Sequence, residues 1–85
     1  MTPQGTVDVH LYAAARAAAG VRALQVPSGP LGDVLVHLAS VSPALAEVLP
    51  RCSYLVDGIA ARGSERDYVV PPGARLDVLP PFAGG

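Results

Sequence analysis

The stretch RLDVLPPFAGG, residues 75–85, joins a strand pattern to an ending rich in proline and glycine. From Arg75 to Leu79 apolar and polar side chains alternate, which is the period of a half-buried β-strand. Pro80 and Pro81 follow, and proline cannot continue a sheet because it has no N–H donor and a fixed φ. Residues 82–85, Phe-Ala-Gly-Gly, close the stretch on two glycines, the least bulky backbone a chain can have. The stretch therefore predicts a last strand in a sheet and, over residues 80–85, a tail that leaves it.

Four segments upstream also show strand signals. Thr6 to Tyr12 alternates between apolar and polar side chains, and Val21 to Val26 repeats the alternation. Cys52 to Val56 and Ile59 to Ala61 flank Asp57-Gly58, a dipeptide typical of a tight hairpin turn. We therefore expect two hairpins, the first with an elaborated loop and the second with a two-residue turn.

The middle of the chain carries the clearest helix signal. Apolar side chains at i, i+3, i+4 and i+7 give one face of an amphipathic helix: Leu31, Val34, Leu35 and Leu38. We interpret Ser28 or Gly29 as its N-cap and Pro30 as its first helical residue. Ser42-Pro43 predicts the start of a second, shorter helix by the same signal. Ala13 to Ala19 predicts one helical turn or a tight connection, because so short a run is unstable alone.

The order of these elements favours an α+β fold. Strands outnumber helices, and one main helix must cover one face of one sheet. A first and a last strand lying side by side at the sheet centre would be parallel, with the helix crossing over between them. We predict a mixed sheet of four to five strands in a β-grasp arrangement, with Tyr68 to Val70 as a short strand or link. Residues 1–79 then form the domain, and residues 80–85 form the protruding tail.

Composition excludes several classes of function. The chain has 85 residues, 51% of them hydrophobic, and a net charge of −1, so neither a nucleic-acid surface nor an electrostatic membrane contact is expected. All six basic residues are Arg, which leaves no lysine amine for amide linkage. The single cysteine, Cys52, cannot form an internal disulfide and suggests a reducing, cytoplasmic location.

Few side chains offer chemistry of their own. His10 and His37 are far apart in the sequence and have no Cys or carboxylate at ligand spacing, so we expect surface histidines and no metal site. Cys52 begins a strand, and we interpret it as a small buried or half-buried residue, with a sulfur-relay role as the alternative. Tyr12 and Tyr54 could line a partner surface or pack on the sheet. The tail is therefore the main candidate for a functional site.

Four segments together resemble a known family: Val7–Arg16, Leu31–Leu35, Val56–Gly58 and Pro72–Gly85. The pattern is similar to the ubiquitin-like sulfur carriers, most of all to the small subunit of molybdopterin synthase and to its thiamine-pathway relatives. The family typically has a Gly-Asp turn, an apolar strand, two prolines, two variable residues and a terminal Gly-Gly. The chain departs from that pattern at the turn, which here is Gly73-Ala74.

The resemblance implies a function for the tail. A partner of the adenylating, E1-like class would use ATP to form an acyl-adenylate on Gly85, and a sulfur donor protein would convert it to a thiocarboxylate. Partners would bind the rest of the tail: Pro80, Pro81, Phe82, Ala83 and Gly84. The large subunit of molybdopterin synthase would then take the sulfur for molybdenum cofactor synthesis. The chain would bind no cofactor and would act as a protein cosubstrate, without catalysis of its own.

Two alternatives remain open at the level of sequence. The chain could carry sulfur for thiamine, cysteine or secondary-metabolite synthesis. It could also be a ubiquitin-like protein modifier, or a plain binding domain without sulfur chemistry.

Overall fold

The first and last strands lie side by side at the centre of a five-stranded mixed sheet. The computed structural model describes residues 5–62 and 65–80. The strands of this sheet are β1 (Thr6–Leu11), β2 (Ala23–Pro27), β4 (Ser53–Val56), β5 (Ile59–Ala61) and β7 (Arg75–Leu79). Their order is β2-β1-β7-β4-β5, with β1 and β7 parallel and the other pairs antiparallel. The predicted α+β fold with parallel first and last strands is confirmed.

The core lies on one face of this sheet, beneath the helices. The inward side chains of β1 and β7 are buried: Val7, Val9, Leu11, Leu76 and Val78. The longest helix, α2 (Leu31–Ala39), covers them with the predicted apolar stripe. Leu31, Val34 and Leu38 of this helix are fully buried. The apolar faces predicted from the strand and helix periods therefore pack together in one aliphatic core.

The connection after β1 forms more helix than the sequence predicts. The helix α1 spans Ala13–Ala19, so the expectation of one turn or a tight connection is wrong. Tertiary contacts stabilise this helix, which is too short to be stable alone. Ala15 is buried in the core, and the Ser42 hydroxyl donates to the Ala18 carbonyl. Gly20, at φ 78°, ends the helix in the left-handed conformation that glycine adopts readily.

The start of α2 also differs from the prediction. Gly29–Pro30 forms a short strand, β3, which pairs antiparallel with β6 (Val69–Val70). Neither Ser28 nor Gly29 caps the helix, and α2 begins at Leu31. Backbone carbonyls from the segment before β6 accept the first helical amides instead. The Leu31 N–H donates to Tyr68 at 2.7 Å, and the Gly32 N–H donates to Arg66 at 3.0 Å.

The remaining elements follow the sequence closely. A second short helix, α3 (Pro43–Val48), begins at the predicted Ser42 cap and continues into a 3-10 helix at Leu49–Arg51. The turn between β4 and β5 places Asp57 at φ 49° and Gly58 at φ 83°, the paired positive angles of a tight hairpin turn. In the described part of the chain, no helix is long and apolar enough to cross a membrane.

Candidate functional site

The last strand is paired on both sides as far as Val78 and on the β4 side as far as Leu79. Within β7, Val78 lies opposite Leu11 of β1 and Tyr54 of β4, and Leu79 lies opposite Ser53. The Tyr12 N–H also donates to the Val78 carbonyl at 3.1 Å. A central strand of this kind gives the residues that follow it a fixed origin on the domain.

Of the predicted site residues, only the first lies in the described structure. Pro80 follows Leu79 directly and is exposed. Pro81, Phe82, Ala83, Gly84 and Gly85 lie outside the described residues. The division into a domain at 1–79 and a tail at 80–85 therefore stays a prediction.

A polar network crosses the open face of the sheet beside β7. The Arg75 Nε donates to the Asp77 Oδ1 at 2.9 Å, and the Arg75 Nη2 donates to the Tyr12 hydroxyl at 2.8 Å. The Tyr12 hydroxyl donates in turn to the Asp77 Oδ1 at 3.3 Å. Asp77, and after it Tyr12, raises the pKa of the Arg75 guanidinium by hydrogen bonding to its charged form. The network links the start of α1 to the strand that leads into the tail.

Sequence reasoning missed this network. It treated Tyr12 as a surface or packing residue and treated Arg75 and Asp77 only as polar positions of a strand. The signal was present in the alternation, since all three side chains belong to the polar face. Their meeting depends on the parallel register that sets His10 against Asp77, and periodicity within one strand does not give register between strands.

Cys52 is placed as a packing residue. Its side chain is half-buried, and its Sγ donates to the Val48 carbonyl at 3.4 Å. Burial raises the pKa of the Cys52 thiol, which favours the neutral form over the nucleophilic thiolate. These observations favour the packing interpretation over a sulfur-relay role.

The two histidines do not come together. His10 lies on β1, whereas His37 lies on the last turn of α2. Within residues 5–62 and 65–80, no three His, Cys, Asp or Glu side chains form a group that could hold a metal ion. The site residues that sequence analysis nominates are thus confined to the tail and its root.

The architecture defines the class of protein. A mixed sheet with parallel strands β1 and β7 at its centre and α2 across one face is the β-grasp fold of ubiquitin-like proteins. The chain belongs to the ThiS family, whose sequence pattern it matches over residues 9–85. No curated protein matched the sequence.

Solved structures support the same fold. Small archaeal modifier protein 1 from Methanosarcina acetivorans superposes with a TM-score of 0.82 at 25% identity, covering 99% of this chain and all of that one. The protein of the same name from Haloferax volcanii gives a TM-score of 0.76 at 27% identity, over 95% of this chain and 100% of its own. A chain of the complex of subunits 1 and 2 of molybdopterin-converting factor from Helicobacter pylori 26695 gives a TM-score of 0.67 at 18% identity, over 94% of this chain and 99% of its own. The fold is that of ubiquitin-like sulfur carriers and modifiers.

Proposed function

We propose that this chain is a sulfur carrier whose C-terminal glycine, Gly85, becomes a thiocarboxylate. The single observation that carries the proposal is the match to the ThiS family, because it extends through the tail to residue 85. An adenylating partner would join the Gly85 carboxylate to AMP from ATP and release pyrophosphate. Sulfide supplied by a sulfur donor protein would then attack the carbonyl carbon of this adenylate, form the C–S bond and release AMP, which leaves the thiocarboxylate. The carrier supplies the acyl group, and its partners supply the catalysis.

The described domain suits this role because β7, the strand that precedes the tail, is a central strand of the sheet. β7 lies between β1 and β4, and it is paired with β1 as far as Val78 and with β4 as far as Leu79. Proline at 80 and 81 would end the hydrogen-bond ladder and direct the tail outward. Phe82 would give a partner one apolar contact, and glycine at 84 and 85 would allow a narrow cleft to close around the backbone.

We propose molybdopterin synthesis as the pathway that receives the sulfur. The H. pylori chain of the same fold is part of a complex of two molybdopterin-converting factor subunits. That neighbour makes a large synthase subunit the first partner to test. Stable association of the purified chain with such a subunit is the expected result, whereas failure to associate would favour thiamine, cysteine or secondary-metabolite synthesis.

A protein modifier is the second candidate. The proteins named small archaeal modifier protein 1 are 25% and 27% identical to this chain and are covered over their whole length. A modifier would use the same adenylated glycine but would pass it to an amine of another protein. The two roles therefore differ in the acceptor, and the tail chemistry before that step is shared.

Intact mass spectrometry tests the proposal. The chain is incubated with its adenylating partner, ATP and a sulfur donor, and the mass of the product is compared with that of the starting protein. Exchange of one oxygen for sulfur, located at Gly85 by fragmentation, is the expected outcome. Absence of that exchange would refute the carrier role. Isolation of the chain linked through Gly85 to lysines of other proteins would establish the modifier role instead.

A further inference from the structure

A cleft of about 450 Å³ opens on the helix-bearing side of the sheet. One wall is the outer side of α2, and the other is the 3-10 helix and the segment that enters β4. The side chains that line the cleft include Leu35, Val36, Ala39, Leu49, Pro50 and Arg66. The size falls within the range in which proteins accept a ligand or an anchoring side chain.

The walls of the cleft are apolar, and the polar groups inside it are already satisfied. The Tyr54 hydroxyl donates to the Leu49 carbonyl, and the Cys52 thiol donates to the Val48 carbonyl. Val36 stands at the rim with 59% of its surface exposed, which is high for a large aliphatic side chain. The interior therefore favours an aliphatic group over a polar one.

Among the described residues that line the cleft, Arg66 is the one with a formal charge. Its guanidinium has five donors, and to the described residues it makes one long hydrogen bond, from the Nη2 to the Gly32 carbonyl at 3.5 Å. Among residues 5–62 and 65–80, the one ion pair is Arg75–Asp77 on the other face of the sheet. Arg66 thus has donors left for a carboxylate.

The first turn of α2 holds Arg66 at this end of the cleft. Gly32 has no side chain, and a β-carbon there would lie 3.0 Å from the Arg66 Nε. The Arg66 carbonyl also accepts the Gly32 N–H at 3.0 Å. The backbone of Arg66 is therefore tied to the first turn of α2, and its side chain lies beside Gly32 at this end of the cleft.

The cleft lies next to the root of the tail. Ser53 is opposite Leu79 in the β4–β7 pair, so Cys52, which lines the cleft, lies across from Pro80. Neighbouring strands are about 5 Å apart. A protein that holds the tail from Pro80 onward therefore passes the mouth of this cleft.

We propose that the cleft receives an aliphatic side chain and an adjacent carboxylate from the adenylating enzyme that activates the tail. The apolar walls select the aliphatic group, and the Arg66 guanidinium selects the carboxylate by charge complementarity. The adenylating enzyme is the occupant because the carrier and modifier roles both require it. This inference rests on the proposed function.

The test compares charge variants at the cleft with matched variants elsewhere. Arg66→Glu and Val36→Glu alter the cleft, while Arg22→Glu and Val21→Glu make the same changes at exposed positions before β2, at the far edge of the sheet. Activation is measured as pyrophosphate release by the adenylating enzyme over a range of carrier concentrations. The cleft variants should raise KM about tenfold with kcat unchanged, and the matched variants should stay within about twofold.

A second measurement guards against variants that fail to fold. Circular dichroism establishes that each variant keeps its structure, and Arg66→Gln gives a milder change at the same position.

Methyl NMR of the wild-type chain should show shifts at Leu35 and Val36 when the adenylating enzyme is added. Equal KM values for Arg66→Glu and Arg22→Glu, or methyl shifts confined to the open sheet face, would overturn the cleft proposal alone. A wild-type chain that the enzyme neither binds nor adenylates would overturn both proposals.

Discussion

At the scale of single residues, one glycine is fixed by close packing. A β-carbon on Gly5 would lie only 2.6 Å from the Pro72 Cγ and would also overlap the Pro72 Cβ. The proline ring cannot rotate away, and the Gly5 carbonyl already accepts the Ser28 N–H at 3.0 Å. We expect Gly5→Ala to lower the free energy of unfolding by about 1–3 kcal/mol in urea titrations.

A double-mutant cycle isolates the cause of that loss. Pro72→Gly removes both the Cβ and the Cγ that the added β-carbon would overlap, so the Gly5→Ala/Pro72→Gly pair should recover much of the stability lost by Gly5→Ala alone. Strict additivity of the two single changes would show that the contact with Pro72 is not responsible.

The raised pKa of the Tyr54 hydroxyl predicts that the protein loses stability in alkali. Burial, with a smaller contribution from the charge of Cys52, raises the pKa of Tyr54 from 10.0 to about 12. The unfolded chain therefore loses the phenolic proton before the folded chain does, and the free energy of unfolding falls as pH rises from 10 to 12. By the size of the shift, this loss is roughly 2 kcal/mol.

Tyr54→Phe supplies the comparison in that pH window. The variant should be about 1–2 kcal/mol less stable near neutral pH, because the Leu49 carbonyl loses its buried donor. Its stability should then change less between pH 10 and 12 than that of the wild type, with Cys52→Ser in both backgrounds to remove the thiol. Parallel pH profiles for the two proteins would contradict the assignment to Tyr54.

At the scale of elements, one serine joins two helices. The Ser42 Oγ accepts the Leu45 N–H of α3 at 3.0 Å and donates to the Ala18 carbonyl of α1 at 3.0 Å. Ser42→Ala should cost about 1–2 kcal/mol in thermal or urea unfolding, since it removes a cap and leaves a carbonyl without its donor. Ser40, whose hydroxyl bonds only within its own helix end, gives the control. Ser40→Ala should cost less than about 0.5 kcal/mol, and equal costs would show that the link to α1 contributes nothing.

The hairpin turn before β5 also stabilises the last strand. The Asp57 Oδ1 accepts the Arg75 N–H at 2.9 Å, and the Asp57 N–H donates to the Arg75 carbonyl at 2.9 Å. Asp57→Ala should lower stability by about 1 kcal/mol, while Asp57→Asn keeps an acceptor and tolerates the positive φ of 49°. Urea titrations of the two variants measure this difference, and an equal loss of stability in both would assign the effect to the charge of Asp57.

Local pattern predicted those elements whose causes are local. The Ser42 cap, the Asp57-Gly58 turn and the apolar stripe of α2 are each specified within a few residues. The expectations for α1 and for Pro30 were wrong because distant contacts decide both. Alanines of α1 become helical against α3, and Pro30 enters a strand because Val69 is there to pair with it.

At the scale of the whole molecule, the same distinction separates the fold from the site. The parallel pairing of β1 with β7 could be predicted because one crossing helix and a hydrophobic first and last strand leave few alternatives. The cleft beside Arg66 could not, since it depends on how the loop before β6 lies over Gly32. The tail was predicted as the site from its residue types and from the family resemblance, because the proposed chemistry needs proline and glycine in order and no tertiary contact.

Fold and activation should therefore be separable by mutation. Leu38 is fully buried in α2, far from the tail in sequence, and Leu38→Ala should lower the free energy of unfolding by about 2–5 kcal/mol. Gly85→Ala leaves the described domain unchanged and should not alter stability, but it adds a β-carbon beside the carbonyl that AMP and sulfur must reach. We expect Leu38→Ala to be adenylated at the wild-type rate per folded molecule, and Gly85→Ala to lose adenylation while its urea midpoint stays at the wild-type value. Normal activation of Gly85→Ala would contradict the close fit of the tail, and loss of activation in folded Leu38→Ala would show that the domain acts in the reaction beyond holding the strand.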